Sequence, residues 1–403
     1  MSKTLLLLGG ARYALPVIDA AHELGAKVVT CDYLPHNYAH TFSDQYINAS
    51  IVDNEAVLAA AKECKADGIM SFAADPGVVA ASYAAEKLGL PFQGSCEAVS
   101  ILQDKECYRA FLRDNGFNCP ELRIYHSVEE AMAEADDIAY PVIAKPVDAA
   151  GSKGCSRVDE PEGLRKAVEC ALGFSRAGRC IVEQFLEKEG DSSDADGFVT
   201  GGSFTCVSFT SQLFDPAVPN PYTPAAYTMP ASMPEWAQKE LVSELQRLAD
   251  LLGLRDGVFN IETRVATDGK AYIMESSPRG GGNRLCEMLK HATAGKTDLV
   301  MAAVKAALGE PVGELPMPAY DGYWYQQMLH TDRDGAFAGM EYAPGFKEAH
   351  VAEEQLWVGP GQKVEAFSAA NHAFGSVFMR FDTQEELDAF RAAPGEYIRA
   401  RVD

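Results

Sequence analysis

Between residues 4 and 95, short apolar runs alternate with helical patterns, and this alternation restricts the fold more than any other feature of the chain. TLLLLGG reads as a buried strand, followed by Leu15, Ile18, Ala21 and Leu24 at helical spacing. AKVVTCDY and GIMSF are two further strands, and a helix is predicted over roughly 77–88. Strands separated by helices cannot pair as hairpins, so they build a parallel, doubly wound sheet. Gly9 and Gly10 open GGARYA, which is not the G-x-G-x-x-G of a dinucleotide fold, and a nicotinamide oxidoreductase is disfavoured. Gly10 and Asp75, in FAADPG, fall at strand ends, where such sheets bind ligands.

The 403 residues exceed what one compact core needs and suit two or three domains. No apolar run approaches the roughly 18 residues of a membrane span, and MSKTLLLLGGARY is too short an apolar run for a signal peptide. The ten cysteines include no C-x-x-C pair and no cluster with histidine at zinc spacing. Reduced thiols and a cytoplasmic location are therefore expected. A net charge of −23 argues against nucleic acid, whose phosphates demand a basic surface, while a small phosphate ligand needs only a few local cations.

Beyond a helix predicted near 97–115, the texture changes. Strand-like YPVIAKP, a glycine loop, the helix EGLRKAVECAL and the strand RCIVEQFL follow in order. Six prolines from Pro216 to Pro234 read as a long surface loop, and a helix is expected over 235–252. After a helix near 297–308, GEPVGELPMP reads as a linker to a strand-rich end, in which Thr383 and Glu386 have capping-box spacing.

VFNIETRVA, TDGK and AYIMES form a hairpin candidate, with Asp268-Gly269 a two-residue type I′ turn signal. Such a turn pairs residues whose numbers sum to 537, placing Glu262 opposite Glu275 and Asn260 opposite Ser277 on one face. Directly opposed acids repel, and a divalent cation bound by oxygen ligands explains the pair. Arg279 then meets the negative charge around the metal. Glycines 280–282 let backbone amides approach a reacting anion, and Asn283 and Arg284 reach a second one.

In YPVIAKP, alternation puts Ile143 and Lys145 on one face, a cation beside an apolar floor. Gly151, Ser152 and Gly154 in VDAAGSKGCSR permit a loop whose amides fold over phosphates. In RCIVEQFLEKEG, Glu183 can accept from an exocyclic amine while the backbone of Gln184 and Leu186 reads a base edge; Lys105 starts a helix.

In order and spacing, DK before a helix, NGFNCPE, YPVIAKP with GSKG, IVEQFLE, and FNIE with YIMESSPRGGG resemble the ATP-grasp superfamily. The likeness is to the branch of biotin carboxylase, carbamoyl-phosphate synthetase and purine-biosynthesis ligases, and it covers nearly the whole chain. It implies a doubly wound domain over about 1–97, a two-subdomain core over 98–313 with a lid near 118–183, and a small strand-rich domain over 314–403. By the resemblance, Lys105, Lys145 and the 151–154 loop hold ATP phosphates, and Glu183, Gln184, Phe185 and Leu186 hold the base. EKEGDSSDADGF offers Glu189, Asp191 or Ser192 for the ribose, with Asp191 preferred. Glu262 and Glu275 bind Mg²⁺ or Mn²⁺, and Ser277, where the family usually has asparagine, stands as a third ligand. Arg279 matches the arginine that steadies the transferred phosphoryl group, and Gly10, Asp75, Gly281 and Arg284 face the substrates. The implied activity is ATP-dependent carboxylate–amine ligation through an acyl phosphate, with a homodimer as a family-level expectation. A bicarbonate-using carboxylase or a non-catalytic ATP-binding protein are the alternatives.

Overall fold

The computed structural model describes residues 2–149 and 153–403. The first domain contains β1 (Thr4–Leu8), α1 (Leu15–Glu23), β2 (Lys27–Asp32), β3 (Gln45–Asn48), α2 (Asn54–Cys64), β4 (Gly68–Ser71) and α3 (Val78–Leu88). Its four strands are parallel in the order β3-β2-β1-β4, with β3 an edge strand that the apolar pattern does not reveal. Leu5 and Leu7 point into one core with Val17 and Ile18 of α1, while Leu6 and Leu8 point into another with α2 and α3. A sheet buried on both faces reads as a continuous apolar run, which is why TLLLL has no polar alternation.

The helix expected near 97–115 is two helices, α4 (Cys96–Gln103) and α5 (Lys105–Asp114). Asp104 divides them: its backbone is extended, and its carboxylate accepts from the amides of Glu106 and Cys107, capping α5. Lys105 is thereby the first residue of α5.

A small subdomain follows, with β5 (Leu122–Tyr125), α6 (Val128–Ala133), β6 (Val142–Pro146), β7 (Ser156–Val158), α7 (Leu164–Phe174) and β8 (Cys180–Gln184). Its antiparallel sheet, ordered β5-β8-β6-β7, rests one face on α6 and α7 and turns the other toward the body of the protein.

The body contains β9 (Ser192–Thr200), β10 (Ser203–Phe214), β11 (Pro224–Met229), α8 (Glu235–Leu252), β12 (Gly257–Val265), β13 (Ala271–Ser277), α9 (Leu285–Ala292) and α10 (Leu299–Ala307). The remainder supplies β14 (Tyr323–Leu329), β15 (Gly335–Tyr342), α11 (Phe346–His350), β16 (Val351–Leu356), β17 (Lys363–Val364), β18 (Gly375–Phe381), α12 (Gln384–Ala392) and β19 (Ile398–Val402). One eight-stranded sheet, β13-β12-β9-β10-β11-β14-β18-β16, runs through both segments, and a three-stranded sheet β17-β15-β19 flanks it. The proline-rich stretch is therefore not a continuous loop. Pro224 opens β11 and Pro230 follows it, so the prolines flank a buried strand that joins β10 to β14. Among the described residues, no helix is long and apolar enough to cross a membrane.

Candidate active site

The hairpin reaches the expected pairing by an unexpected route. Ala266 donates to Lys270 and Gly269 donates to Ala266, so the loop holds three residues, with Gly269 at φ 77°. Near the turn, Thr263 faces Ile273 and Val265 faces Ala271. That register, continued, would set Glu262 against Met274. A bulge at Met274 shifts it by one residue, so Glu262 faces Glu275 and Asn260 faces Ser277. The type I′ turn is corrected, but the two acids are opposed.

Across β9 the row continues, with Asp194 beside Glu262 and Asp196 beside Asn260. These two acids alternate along SSDADGF, which is the signal by which they could have been found. Asn260 donates to Asp194 at 2.7 Å and to Asp196 at 3.2 Å, and the Gly281 amide donates to Asp196 at 2.8 Å. Burial first, then the charges of Asp196 and Glu262, push the Asp194 carboxyl well above its usual range. Burial likewise raises Asp196. Glu262 has neither a hydrogen bond nor an ion pair among the described residues, and Glu275 meets Lys105 at 3.4 Å. No three His, Cys, Asp or Glu side chains form a closed metal cage among the described residues. The donor set does fit Mg²⁺, which uses one or two carboxylates and completes its shell with water and substrate phosphate.

Arg279, expected to meet the negative charge around a metal, is clamped by Asp75. Its Nε and Nη2 donate to the two oxygens of Asp75 at 2.8 and 2.9 Å, and Nη1 donates to the Gly280 carbonyl. Ser277 donates to Asp75 at 2.7 Å and accepts from Gln103 at 2.7 Å. Ser277 and Asp75 thus join Arg279 in one network, with Asp75 holding the arginine. Asp75 comes from the turn after β4, which docks against the glycine loop. The Ala73 amide donates to the Gly280 carbonyl, and a Cβ on Gly280 would overlap the Phe72 ring.

On the open face of the small subdomain's sheet, Lys145 and Ile143 point to the same side of β6 as Glu183 of β8. Glu183 is 1% exposed and engaged by Arg109 Nε at 3.0 Å and by Lys145. Burial would raise its pKa, but the charges of Arg109 and Lys145 outweigh burial and bring it down to about 2. Glu183 therefore fixes Lys145 rather than standing free to meet a base. Arg109 was missed, although it lies four residues after Lys105 and so on the same face of α5. The Gln184 amide is held by the Glu121 carbonyl and the Phe185 amide by the Pro141 carbonyl. The Gln184 carbonyl and the Leu186 amide have no partner among the described residues. Arg157 stacks 4.2 Å from the Phe185 ring centroid. Lys105 Nζ donates to the Ala149 carbonyl; burial opposes its charge, but Glu275 and the other groups around it keep its pKa raised. Gly154 has φ 73°, and a Cβ there would crowd Phe174 and Pro146. Gly151 and Ser152 lie outside the described residues.

Four other expected site residues have different surroundings. Asp191 accepts from Arg391 at 2.9 Å and from Ser232 at 3.0 Å. Arg284 is buried, with Glu287 at 2.9 Å, Glu353 at 2.5 Å and Ser376 at 2.9 Å. The amide of Gly281 goes to Asp196 rather than toward an anion, and a Cβ there would sit 2.8 Å from that carboxylate. Gly10 is needed because His40 packs where its side chain would be.

A doubly wound domain, a small antiparallel subdomain and a carboxylate-bearing sheet edge together define an ATP-grasp architecture. Residues 138–287 match the family model of the ATP-grasp domain, and the chain carries that domain. It is 29% identical over 185 residues to the carbamoyl phosphate synthase large chain of Thermotoga neapolitana, covering 46% of this chain and 16% of that one. It is 30% identical over 193 residues to the formate-dependent phosphoribosylglycinamide formyltransferase of Prochlorococcus marinus, covering 46% and 48%. The matched region spans less than half the length of these relatives. The solved L-amino acid ligase of Bacillus licheniformis superposes with a TM-score of 0.79 at 20% identity, over 100% of this chain and 99% of that one. The phosphoribosylglycinamide synthetase of Anaerococcus prevotii gives 0.76 at 18%, with both chains fully covered. At such identities the likeness is one of fold.

Proposed function

We propose that this chain is an ATP-dependent carboxylate–amine ligase. The observation that carries the reading is the opposition of Glu262 and Glu275 on one sheet face, with Lys105 3.4 Å from Glu275. In this reading Lys105, Lys145 and the 151–154 loop hold the phosphates, and the Gln184 carbonyl and Leu186 amide meet the base. Glu262 and Glu275 would hold Mg²⁺, which neutralises phosphate charge when bound. The oxygen of a substrate carboxylate attacks the γ-phosphorus, and the bond to the β-phosphate oxygen breaks to release ADP. An amine nitrogen then attacks the acyl carbon and loses a proton as the bond to phosphate breaks. No protein nucleophile is required; the side chains align the reactants and stabilise charge. Arg279, oriented by Asp75, faces the transferred group.

The reading takes 1–97, 98–313 and 314–403 as domains and 118–183 as the lid, in a cytoplasmic homodimer that light scattering would check. The test of function is a coupled ADP-release screen over pairs of carboxylates and amines, with bicarbonate as a separate arm and mass spectrometry of the product. Release with a carboxylate and an amine supports the ligase, and release with bicarbonate alone converts it to a carboxylase. Nucleotide binding without release in any arm would overturn the reading in favour of a non-catalytic binder.

A further inference from the structure

At the junction of the first domain, the α9 segment and the last strands lie three hydrogen-bond donors with nothing to donate to. The Tyr13 hydroxyl and Trp357 Nε1 are buried without a partner among the described residues, and their rings meet edge-on at 5.7 Å. Arg12, half-buried, has no ion pair or side-chain hydrogen bond among the described residues. Its guanidinium carbon lies over the Tyr38 ring, 3.6 Å from the centroid, and 5.9 Å from that of Trp357. A stacked guanidinium keeps its N–H groups free at the edge. The acids nearby are taken: Glu287 by Arg284, and Glu353 by Arg284 and His291. Buried donors are almost always satisfied, and two buried orphan donors on adjoining rings, with an unpaired arginine 5.9 Å from one of those rings, call for an acceptor from outside.

We propose that Arg12, Tyr13 and Trp357 form a subsite for an anionic group, carboxylate or phosphate, of the second substrate. A tryptophan N–H can only donate, an arginine can only donate, and a tyrosine hydroxyl can do so, which excludes an ammonium as the favoured occupant. The glycine loop connects the place to the proposed reaction centre, since Arg279 begins it and Arg284, whose charge and that of its partner Glu287 act on the Tyr13 hydroxyl, ends it. The anchoring role rests on the ligase reading, but the binding of an anion does not.

The test titrates the full chain with inorganic phosphate and with acetate at constant ionic strength, with and without MgADP, reading tryptophan fluorescence and thermal midpoint. Saturable binding is expected that Trp357→Phe silences in fluorescence and that Arg12→Gln and Tyr13→Phe each weaken by about tenfold. Circular dichroism establishes that each variant is folded, and Tyr13→Phe keeps the ring while removing only the hydroxyl. Phosphate-selective binding assigns a phosphoryl group and acetate-selective binding a carboxylate. No saturable change with either anion, or equal affinity in wild type, Arg12→Gln and Tyr13→Phe, overturns the subsite whether or not ligation is ever observed.

Discussion

Glu183→Gln isolates what binds the small antiparallel subdomain to the body. The wild-type carboxylate lies between Arg109 of α5, itself 1% exposed, and Lys145 of β6, while Arg109 Nη1 also donates to the Met274 carbonyl at 2.7 Å. A glutamine keeps the shape but leaves two cations without their acid. Breaking a buried pair in this way costs about 3–5 kcal/mol. The depressed carboxyl implies a similar figure: a pKa brought from 4.5 down to about 2 corresponds to roughly 3 kcal/mol of stability. The folded-state pKa is depressed, so this contribution is complete above about pH 4.5 and is lost as pH falls toward 2. Because the triad links β6 and β8 to α5, the loss should appear as local opening of the sheet β5-β8-β6-β7. Hydrogen exchange at neutral pH reads it directly. Amides of β8 should exchange on the order of 100-fold faster in the variant, since each 1.4 kcal/mol is a factor of ten. Exchange within about threefold of wild type would show that the triad holds nothing, and the account of Lys145 positioning would fall with it.

Gly280→Ala should destabilise the chain by about 1–3 kcal/mol, visible as a lower thermal midpoint, because its Cβ would drive into Phe72 at the docked turn. Glu275→Gln should keep the fold by circular dichroism but lower substrate-dependent ADP release on the order of 10²–10³-fold; turnover at the wild-type rate would defeat the metal assignment. Asp75→Asn should lower ADP release on the order of 10²-fold with little change in nucleotide affinity measured by calorimetry, because Arg279 loses its orientation rather than its charge. An equal loss of affinity would instead place Asp75 in nucleotide binding.

Much of this was legible from periodicity. The parallel first sheet follows from runs such as TLLLL, and the opposed acids follow from strand parity. The parity argument succeeded although its turn was wrong, because the longer loop and the Met274 bulge each displace the register by one residue in opposite senses. No local signal separates that pair of irregularities from none at all. The reasons for the glycines were illegible for a different cause. Gly281 is small because Asp196 lies against it and Gly280 because Phe72 does, and both neighbours are more than 80 residues away in sequence. Asp194 and Asp196 were within reach, since acids two apart in a strand share a face, but only once SSDADGF is taken as a strand rather than a loop. β11 was hidden because proline density was weighed without asking whether the prolines flank a strand or interrupt it.

The cations assigned to the nucleotide are all paired with acids in the free chain, and the pairs are not equivalent. Lys105 lies 3.4 Å from Glu275, the longest of the three, and its partner is one of the two acids that a metal would take. Were Glu275 to hold a metal, Lys105 would lose that carboxylate as a partner and its ammonium would be left for phosphate. Arg279 and Lys145 are held by Asp75 and Glu183, which stand outside the carboxylate row of the sheet. Their acids are not withdrawn when a metal binds, so these two cations keep their direction while the charge near them changes. Arg279 uses three of its five N–H groups on Asp75 and the Gly280 carbonyl, which leaves two for an anion. One loosely paired lysine that exchanges partners and two firmly held cations that do not is the arrangement expected where phosphate must be both bound and aligned, because alignment is lost if every contact has to reorganise on binding.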